Sequence, residues 1–284
     1  MNKRPLIAFF CALFLFTIAL CAVERLVFKR NQSFSPHLIY STLPEMDEWK
    51  MNAFSPEKEA EIQQILNQKF FYLDKGKQAF VFESEDKKTV LKLYRLPSEY
   101  RPFAVARKNQ QSLQKIEAAF QSLKCSFDQL REETGILWIH IHKGPSIKKE
   151  VTVVDQLGIE HRIALEKVTA VLQKKGTLLY PTLEAFLSQG KMEDAKRAIA
   201  HLVTLFYTQA KKGLENTDAI LDKNYGLLPT GALIIDSGRL QRNETLCSQA
   251  QAHAKRMTHT LKDWLEKRSP PLLEHYETTV ASLQ

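Results

Sequence analysis

Apolar and polar residues alternate along several short stretches in the first two thirds of the chain. In one of them, the alternation places Lys92 on one face and Leu91 and Leu93 on the other, which is the two-residue period of a β-strand. Stretches with a strand pattern occupy residues 70–73, 79–83, 89–95, 136–141, 151–154 and 162–168. We interpret residues 70–168 as a five-stranded antiparallel sheet with one helix, so one of these six stretches is not counted as a strand of the sheet.

Helical spacing replaces the alternation after residue 178. Residues 192–212 repeat apolar side chains every three or four positions, and Gly213 follows where a glycine commonly ends a helix. The apolar stripe of this helix comprises Ala195, Ala198, Ile199, Leu202, Val203 and Phe206. Two further helices are predicted in residues 241–284. A strand-rich part followed by a mostly helical part predicts an α+β fold.

An uncharged apolar run occupies residues 5–23, with two basic residues before it and three after it. Its length is close to the roughly 20 residues that an α-helix needs to cross a bilayer. A cleaved signal peptide is the alternative, but Leu20-Cys21-Ala22 is a poor cleavage site. We therefore predict an uncleaved, single-pass membrane anchor in residues 1–30, with the lipid bilayer as a partner. The extra basic residue after the run favours a cytoplasmic location for the globular body, the part of the chain that follows the anchor.

Composition and charge exclude several classes of protein. A chain of 284 residues with 44% hydrophobic and 25% charged residues is typical of a folded globular protein. The formal net charge is +8, but basic and acidic residues are interspersed, and zinc spacings and RNA-binding aromatic motifs are absent. We therefore predict no nucleic-acid partner. Outside the apolar run only Cys125 and Cys247 remain, which is neither a disulfide framework nor a metal cluster.

A polar loop and a short buried run in residues 216–240 carry the strongest candidate chemistry. The loop contains Asp218, Asp222 and Asn224, and the apolar run 232–235 ends directly at Asp236. Carboxylate and amide oxygens are hard ligands of the kind that Mg²⁺ prefers. An ordinary β-hairpin is the alternative, since residues 229–231 and 236–238 both have common turn compositions.

Residues 73–81 introduce a resemblance. Their sequence, LDKGKQAFV, resembles the glycine-rich loop of the protein-kinase-like superfamily, with Gly76 and Val81 retained and Asp74 and Ala79 in place of the first and third glycines. Downstream, Val90-Leu91-Lys92 is similar to the strand that carries the superfamily's phosphate-contacting lysine. The resemblance implies that these residues, together with Glu117 and Val168, bind ATP.

The same resemblance extends into the polar loop. Asp218, Asn224 and Asp236-Ser237-Gly238 occur in the order of the superfamily's catalytic loop and metal-binding motif. The resemblance implies that Asn224 and Asp236 bind Mg²⁺, and that Asp218 and Lys92 are catalytic. Asp218 stands one residue further from the asparagine than in the superfamily, and 216–217 replace the usual His-Arg. Asp222 is therefore an alternative base.

A kinase-like fold would be bilobal. The resemblance implies a five-stranded first lobe in residues 55–168 and a small, mostly helical second lobe in 169–284. Glu117, from the helical pattern in 102–130, would pair with Lys92, and the connection at 166–168, with Val168, would bind adenine. Residues 31–54 are polar and contain two prolines, so we predict a linker between anchor and body.

Three functions remain open. The first is a membrane-anchored phosphotransferase that uses ATP and Mg²⁺ and acts on an unknown hydroxyl acceptor. The second is a pseudokinase, a catalytically inactive binding or scaffold module with an unknown protein partner. The third is an unrelated α+β interaction domain. No A-P-E-like segment follows Arg239, which argues against an ordinary protein kinase and favours a small-molecule or lipid-linked kinase or a pseudoenzyme.

Overall fold

The computed structural model describes residues 4–41, 47–51, 53–95, 110–144 and 146–283. In these residues a sheet lobe comes first and a helical lobe follows it. The helices are α1 (Arg4–Arg30), α2 (Pro56–Leu66), α3 (Gln110–Gln129), α4 (Arg131–Thr134), α5 (Leu179–Ser188), α6 (Met192–Lys211), α7 (Leu221–Asn224), α8 (Ala250–Met257), α9 (His259–Glu266) and α10 (Pro270–Ser282). The strands are β1 (Lys69–Lys75), β2 (Ala79–Ser84), β3 (Thr89–Tyr94), β4 (Ile136–His140), β5 (Glu150–Val154), β6 (Glu160–Ala164), β7 (Ala170–Lys174), β8 (Thr177–Leu178), β9 (Leu214–Asn216), β10 (Tyr225–Leu228), β11 (Gly231–Ile234) and β12 (Leu240–Arg242).

The sheet of the first lobe has seven strands in the order β4-β7-β3-β2-β1-β5-β6. Neighbouring strands are antiparallel except β1 and β5, which pair in parallel with Phe71 opposite Val154. The expectation of five wholly antiparallel strands is therefore wrong. The sequence pattern misses β7 because its first four residues are all buried. A strand that is buried on both faces shows no alternation of apolar and polar residues.

Strand β7 determines where the sheet lobe ends. It pairs with both β3 and β4, so the sheet continues to Lys174, beyond the boundary at residue 168 that the sequence predicts. The chain then enters the helical lobe through Lys175 and Gly176. Val168 lies before β7, where it is fully buried and forms a bridge with Tyr40. The predicted connection at residues 166–168 is wrong, because the chain there turns from β6 into β7.

The segment predicted as a linker packs onto the sheet lobe in its described part. Phe34 meets Phe80 and Phe82 edge to face, with ring centroids 5.0 and 5.2 Å apart. Trp49 meets Phe120 of α3 in the same way at 5.0 Å. Edge-to-face aromatic pairs add to the stabilisation that burial of their area provides. These residues therefore form part of the hydrophobic core of the lobe.

Helix α1 carries its large apolar side chains on the outside. In its described part their exposure ranges from 40% at Phe28 to 66% at Phe14. The helix ends where Gln32 and Ser33 adopt left-handed backbone angles, with φ of 49° and 60°. Within the part of the chain that was described, no helix reaches the length and apolar character needed to cross a membrane. The membrane anchor stays a prediction.

Helix α6 forms the centre of the helical lobe. All six residues of its predicted stripe are buried, which confirms the prediction from helical spacing. Helices α5, α8 and α10 and the hairpin of β10 and β11 pack around it. The hairpin pairs Tyr225 with Ile234. This pairing brings the polar loop before β10 beside the residues that follow β11.

Gly226 lies where the helical lobe meets the connection between the lobes. A Cβ at this position would lie 2.7 Å from the Thr177 carbonyl oxygen, in the pairing of β10 with β8. We expect Gly226→Ala to destabilise the fold by about 1–3 kcal/mol, because overpacking forces the backbone to shift. Urea unfolding measures the change. Gly231→Ala is the matched control, since no atom lies within 4 Å of its added Cβ, and equal stability of the two variants would contradict the prediction.

Candidate functional site

Lys92 connects the two lobes from the middle of β3. Its strand neighbours Leu91 and Leu93 are fully buried on the opposite face, as the alternation predicts. The Lys92 ammonium reaches across to the helical lobe and donates a hydrogen bond to the Ile235 carbonyl oxygen. A lysine of the sheet therefore contacts the residue that directly precedes Asp236.

Asp236 stands at the exposed end of the hairpin, just after β11. Its Oδ1 accepts a hydrogen bond from the Gly238 N–H at 3.0 Å, so Asp236 starts a tight turn stabilised by its own side chain. The Asn224 carbonyl oxygen accepts the Ile235 N–H at 2.8 Å. Asn224, which precedes β10, is thereby placed beside Asp236, which follows β11.

Asn216 joins the polar loop to the same turn. Its Nδ2 donates to the Asp236 carbonyl oxygen and its Oδ1 accepts the Asp218 N–H, both at 3.1 Å. The Asn224 Nδ2 donates to the Asp218 carbonyl oxygen at 2.5 Å. The structure thus brings Asp218, Asn224 and Asp236 into one hydrogen-bond network. The Asp218 carboxylate itself lies 3.7 Å from the Nε of Arg239.

Four consecutive carbonyl oxygens, from residue 234 to residue 237, each accept a hydrogen bond from a side chain. In chain order of the acceptors, the donors are Gln173, Lys92, Asn216 and Ser122. Three of these donors belong to the sheet lobe. Ser122 on α3 also accepts the Leu240 N–H at 2.8 Å. With its carbonyl groups held in this way, the turn presents the Asp236 carboxylate in one position between the lobes.

Sequence reasoning missed Ser122, Gln173 and Arg95, and it noted Asn216 only as a departure from the superfamily pattern. Each is a polar residue in or directly after a strand or helix, with no motif of its own. The signal that could have found Gln173 is its place as the one polar residue in the apolar run 170–173. A polar residue inside a buried strand needs a hydrogen-bond partner, and Gln173 has two acceptors, the Thr134 carbonyl oxygen in its own lobe and the Ile234 carbonyl oxygen in the other.

The electrostatics of the site centre on Lys92 and Asp236. Burial lowers the pKa of the Lys92 ammonium, and the nearby Asp236 carboxylate opposes part of this shift. The pKa of Tyr94 is raised, mainly by burial and to a smaller extent by the same carboxylate. Burial disfavours the charged form of a group, whereas a nearby opposite charge favours it. An anionic ligand placed between Lys92 and the solvent would therefore favour the charged ammonium.

The glycine-containing loop joins β1 to β2 as a tight turn. The Gly76 N–H donates to the Ala79 carbonyl oxygen at 2.9 Å. Arg95 donates to the carbonyl oxygens of Gly76, at 2.9 Å, and of Lys77. The Asp74 carboxylate folds back on the loop and accepts the next backbone N–H at 2.7 Å. The predicted loop residues therefore share one turn, which Arg95, the residue after β3, holds by two hydrogen bonds.

Val81 and Val90 lie close to Lys92 in the sheet. Val81 is the residue of β2 directly opposite Lys92. Val90 lies two residues before Lys92 on β3 and therefore shares its face of the sheet. Both positions agree with a role as apolar walls around the lysine.

Glu117 and Val168 are not brought to the site. Glu117 lies half-buried on α3, and the ion pairs formed by the described residues include none between it and Lys92. The carboxylate that acts on Lys92 is Asp236. Val168 lies before β7, away from the connection between the lobes. The structure therefore does not place Val168 beside Lys92 or Asp236, and its contact with adenine stays a prediction.

The oxygen atoms of Asn224 and Asp236 fit a Mg²⁺ site in kind. The Nδ2 of Asn224 is engaged by Asp218, and the Oδ1 of Asp236 by the Gly238 N–H, which leaves the Asn224 Oδ1 and the Asp236 Oδ2 for a cation. In the described ranges of the chain, no group of three or more His, Cys, Asp or Glu is arranged to hold a metal. Mg²⁺ commonly takes one or two protein ligands, with phosphate oxygens and water as the others.

Two of the cavities on the described surface are lined by neither Lys92 nor Asp236. One lies in the sheet lobe beside Phe54 and Arg131. The other, of about 700 Å³, lies in the helical lobe and is lined by residues 219–222, Arg256 and His259 among others. Because the Ile235 carbonyl oxygen accepts the Lys92 ammonium, a nucleotide that contacted Lys92 would have to displace it from that oxygen.

The topology and the site together agree with the fold that the sequence resemblance implies. The chain passes from a twisted sheet lobe to a helical lobe at Lys175 and Gly176. A lysine of the third strand then contacts the residue before the aspartate that follows a hairpin of the helical lobe, beside an asparagine from the preceding loop. This arrangement fits a protein-kinase-like fold. The sheet lobe is accordingly the N-lobe, and the helical lobe is the C-lobe.

Comparisons with known proteins add little to what the structure of this chain indicates about its fold and function. No protein-family model matches it, and no curated protein sequence matches it. Solved structures that are similar include the bifunctional kinase-methyltransferase WbdD, with 14% identity, a TM-score of 0.36, and coverage of 73% of this chain and 43% of that chain. ROP2 from Toxoplasma gondii, a virulence factor with a protein-kinase fold and no enzymatic activity, is 12% identical with a TM-score of 0.34, covering 76% and 64% of the two chains.

A third similar structure is Rv3197 from Mycobacterium tuberculosis in complex with erythromycin, at 14% identity and a TM-score of 0.33, with coverage of 78% of this chain and 60% of that chain. The present chain spans less than two thirds of each of these three chains. TM-scores at this level carry no argument about function. The kinase-like assignment therefore rests on the strand order and the site of the chain itself.

Proposed function

We propose that the protein is a membrane-attached, kinase-like protein that binds ATP with Mg²⁺ and transfers a phosphoryl group to a hydroxyl acceptor. The observation that carries the proposal is the hydrogen bond from Lys92 to the Ile235 carbonyl oxygen. It holds an ammonium group beside Asp236 between the two lobes. In phosphoryl transfer such a pair is used to hold the phosphates and their metal ion.

Each residue of the site then has a distinct role. Lys92 leaves the Ile235 carbonyl oxygen and donates to phosphate oxygens, while the loop that contains Gly76 covers the phosphates. Asn224 and Asp236 hold Mg²⁺ through an amide oxygen and a carboxylate. Bound Mg²⁺ supplies positive charge that stabilises the charge developing on the phosphoryl oxygens. Asp218 accepts the proton of the acceptor hydroxyl.

The second candidate function is a catalytically inactive binding module that keeps the nucleotide site. The ion pair of the Asp218 carboxylate with Arg239 favours this candidate, because it engages the group that would accept the proton. The replacement of two loop glycines by Asp74 and Ala79 points the same way, since glycine allows the backbone to approach phosphates closely. Nucleotide binding is common to both candidates, and turnover separates them.

Thermal unfolding of the full chain in detergent tests nucleotide binding. At an ATP concentration of 100 times Kd, with excess Mg²⁺, we expect stabilisation of about 2.7 kcal/mol, because a ligand that binds only the folded state stabilises it by mass action. ATP with EDTA is expected to stabilise less, since the Asn224–Asp236 site then lacks its cation. An unfolding midpoint that ATP and Mg²⁺ do not change would overturn both candidates.

Release of phosphate from ATP then separates the candidates. Turnover that Asp218→Asn removes and Asp222→Asn retains would support Asp218 as the base. Turnover that both variants retain would contradict that role. Nucleotide binding without turnover in the parent chain would support the inactive module.

Attachment to a membrane is the remaining part of the proposal. Its support is helix α1, whose described large apolar side chains are exposed along its length and would gain free energy from burial in lipid. Flotation of the full chain with phospholipid vesicles, before and after washing at high salt, tests this part. A chain that stays at the bottom of the gradient would contradict it.

A further inference from the structure

The hairpin of β5 and β6 exposes two large apolar side chains at its tip. Leu157 is 41% exposed and Ile159 is 52% exposed, and only the left-handed Gly158, with φ of 80°, separates them. Single exposed apolar residues are ordinary on protein surfaces. Two exposed apolar residues at one turn are informative when the turn is fixed next to another exposed apolar surface. The turn between β5 and β6 is fixed in this way.

A buried carboxylate fixes the tip to the end of helix α1. The Asp155 Oδ2 accepts hydrogen bonds from the Asn31 Nδ2 at 2.9 Å and from the His161 Nε2 at 2.8 Å. The Asp155 Oδ1 accepts the N–H groups of Leu157 and Ile159, both at 2.9 Å. One carboxylate therefore determines the shape of the tip and its position beside Asn31, the first residue after the helix.

The carboxylate is suited to this role in its charged form. Burial raises the pKa of Asp155, but the hydrogen bonds from His161, Ile159, Asn31 and Leu157 more than offset that effect and lower it. Hydrogen bonds to a charged carboxylate are stronger than those between neutral groups. Three of these hydrogen bonds hold the hairpin tip, and the one from Asn31 joins the tip to the end of the helix.

After Glu24 and Arg25, the apolar surface of α1 resumes close to this junction. Leu26, Val27 and Phe28 in its last two turns are exposed, and the basic residues Lys29 and Arg30 follow. Apolar residues next to basic ones are typical of the boundary between acyl chains and head groups, where the basic residues meet anionic lipids. The tip lies where that boundary would be if α1 enters a bilayer.

We propose that Leu157 and Ile159 form a second membrane contact, which inserts into the head-group boundary of an anionic bilayer beside α1. This inference rests on the membrane attachment proposed above. The contact orients the protein, because a helix alone allows rotation about its axis, whereas a helix with a rigid second contact does not. The β5–β6 side of the N-lobe then lies against the membrane surface.

Tryptophan fluorescence of the full chain in vesicles of phosphatidylcholine and phosphatidylglycerol tests the proposal. Ile159→Trp places a probe at the tip, and Gln189→Trp, at an exposed position after α5, is the matched control. The signal of the parent chain, with its 3 tryptophans, is subtracted. With brominated acyl chains we expect the Ile159→Trp signal to fall about two-fold, since interfacial residues lie roughly 5–10 Å into the boundary, and the control signal to stay unchanged.

The outcomes separate this contact from the anchor. A chain that floats with the vesicles while its Ile159→Trp signal is not quenched overturns the second contact and leaves the anchor in place. The same result is expected if a protein partner, and not lipid, covers the tip. A chain that does not float overturns both proposals. Leu157→Trp repeats the test if Ile159→Trp does not fold.

Discussion

Replacing Asp236 with asparagine is expected to remove the effect of Mg²⁺ on ATP binding and to lower any turnover by about a hundred-fold or more. A metal ion supplies several kcal/mol of charge stabilisation in the transition state, and each 1.36 kcal/mol corresponds to about ten-fold in rate. The substitution keeps the size of the side chain and its Oδ1, which accepts the Gly238 N–H. We therefore expect the turn and the overall stability to be preserved.

Isothermal titration calorimetry with ATP, in the presence and absence of Mg²⁺, measures the effect. The parent chain should bind ATP more tightly when Mg²⁺ is present, whereas the Asp236→Asn chain should bind equally in both conditions. Asp263→Asn, which removes one exposed carboxylate on α9, is the matched control and should behave as the parent does. A Mg²⁺ effect that survives in Asp236→Asn would show that the metal ion is held elsewhere.

Replacing Lys92 with methionine is expected to weaken ATP binding by about ten-fold to a hundred-fold. Hydrogen bonds to charged groups contribute about 1.5–3 kcal/mol, and every 1.4 kcal/mol corresponds to about ten-fold in affinity. Methionine keeps an unbranched chain of similar length but has no ammonium. The substitution therefore removes the contact with phosphate and retains much of the packing beside Val81 and Val90.

The stability of Lys92→Met provides a separate measurement. The Ile235 carbonyl oxygen loses its donor, which destabilises, whereas removal of a partly buried charge stabilises, and such replacements are often close to neutral. We expect the unfolding free energy to change by no more than about 1 kcal/mol, within the usual range of single substitutions. Lys88→Met, at an exposed turn of the same sheet, is the control. Unchanged ATP affinity in Lys92→Met would remove the central support of the proposed function.

Much of the local structure was accessible from the sequence. The alternation around Lys92 correctly placed it opposite Leu91 and Leu93, and the spacing of apolar residues correctly placed α6 and its buried stripe. The run that ends at Asp236 proved to be a strand with the aspartate at its exposed end. These features depend on residues a few positions apart, so the periods of a strand and a helix are enough to reveal them.

The errors have a common physical origin. Strand β7 carries no alternation because both of its faces are covered, and missing it moved the connection between the lobes to residues 166–168. The polar composition of residues 31–54 concealed Phe34 and Trp49, which are isolated aromatic residues that enter the core. A local pattern reports the average exposure of a segment and does not identify which neighbour covers it.

The sequence by itself determined the elements and the order of the candidate residues along the chain. Only the tertiary structure decided that Lys92 and Ser122 both donate to the turn around Asp236, across separations of 143 and 115 residues. Pairings over such distances depend on how the two lobes pack, because neither donor has a motif that specifies its acceptor. The position of the Asp236 carboxylate between the lobes is therefore a property of the folded chain.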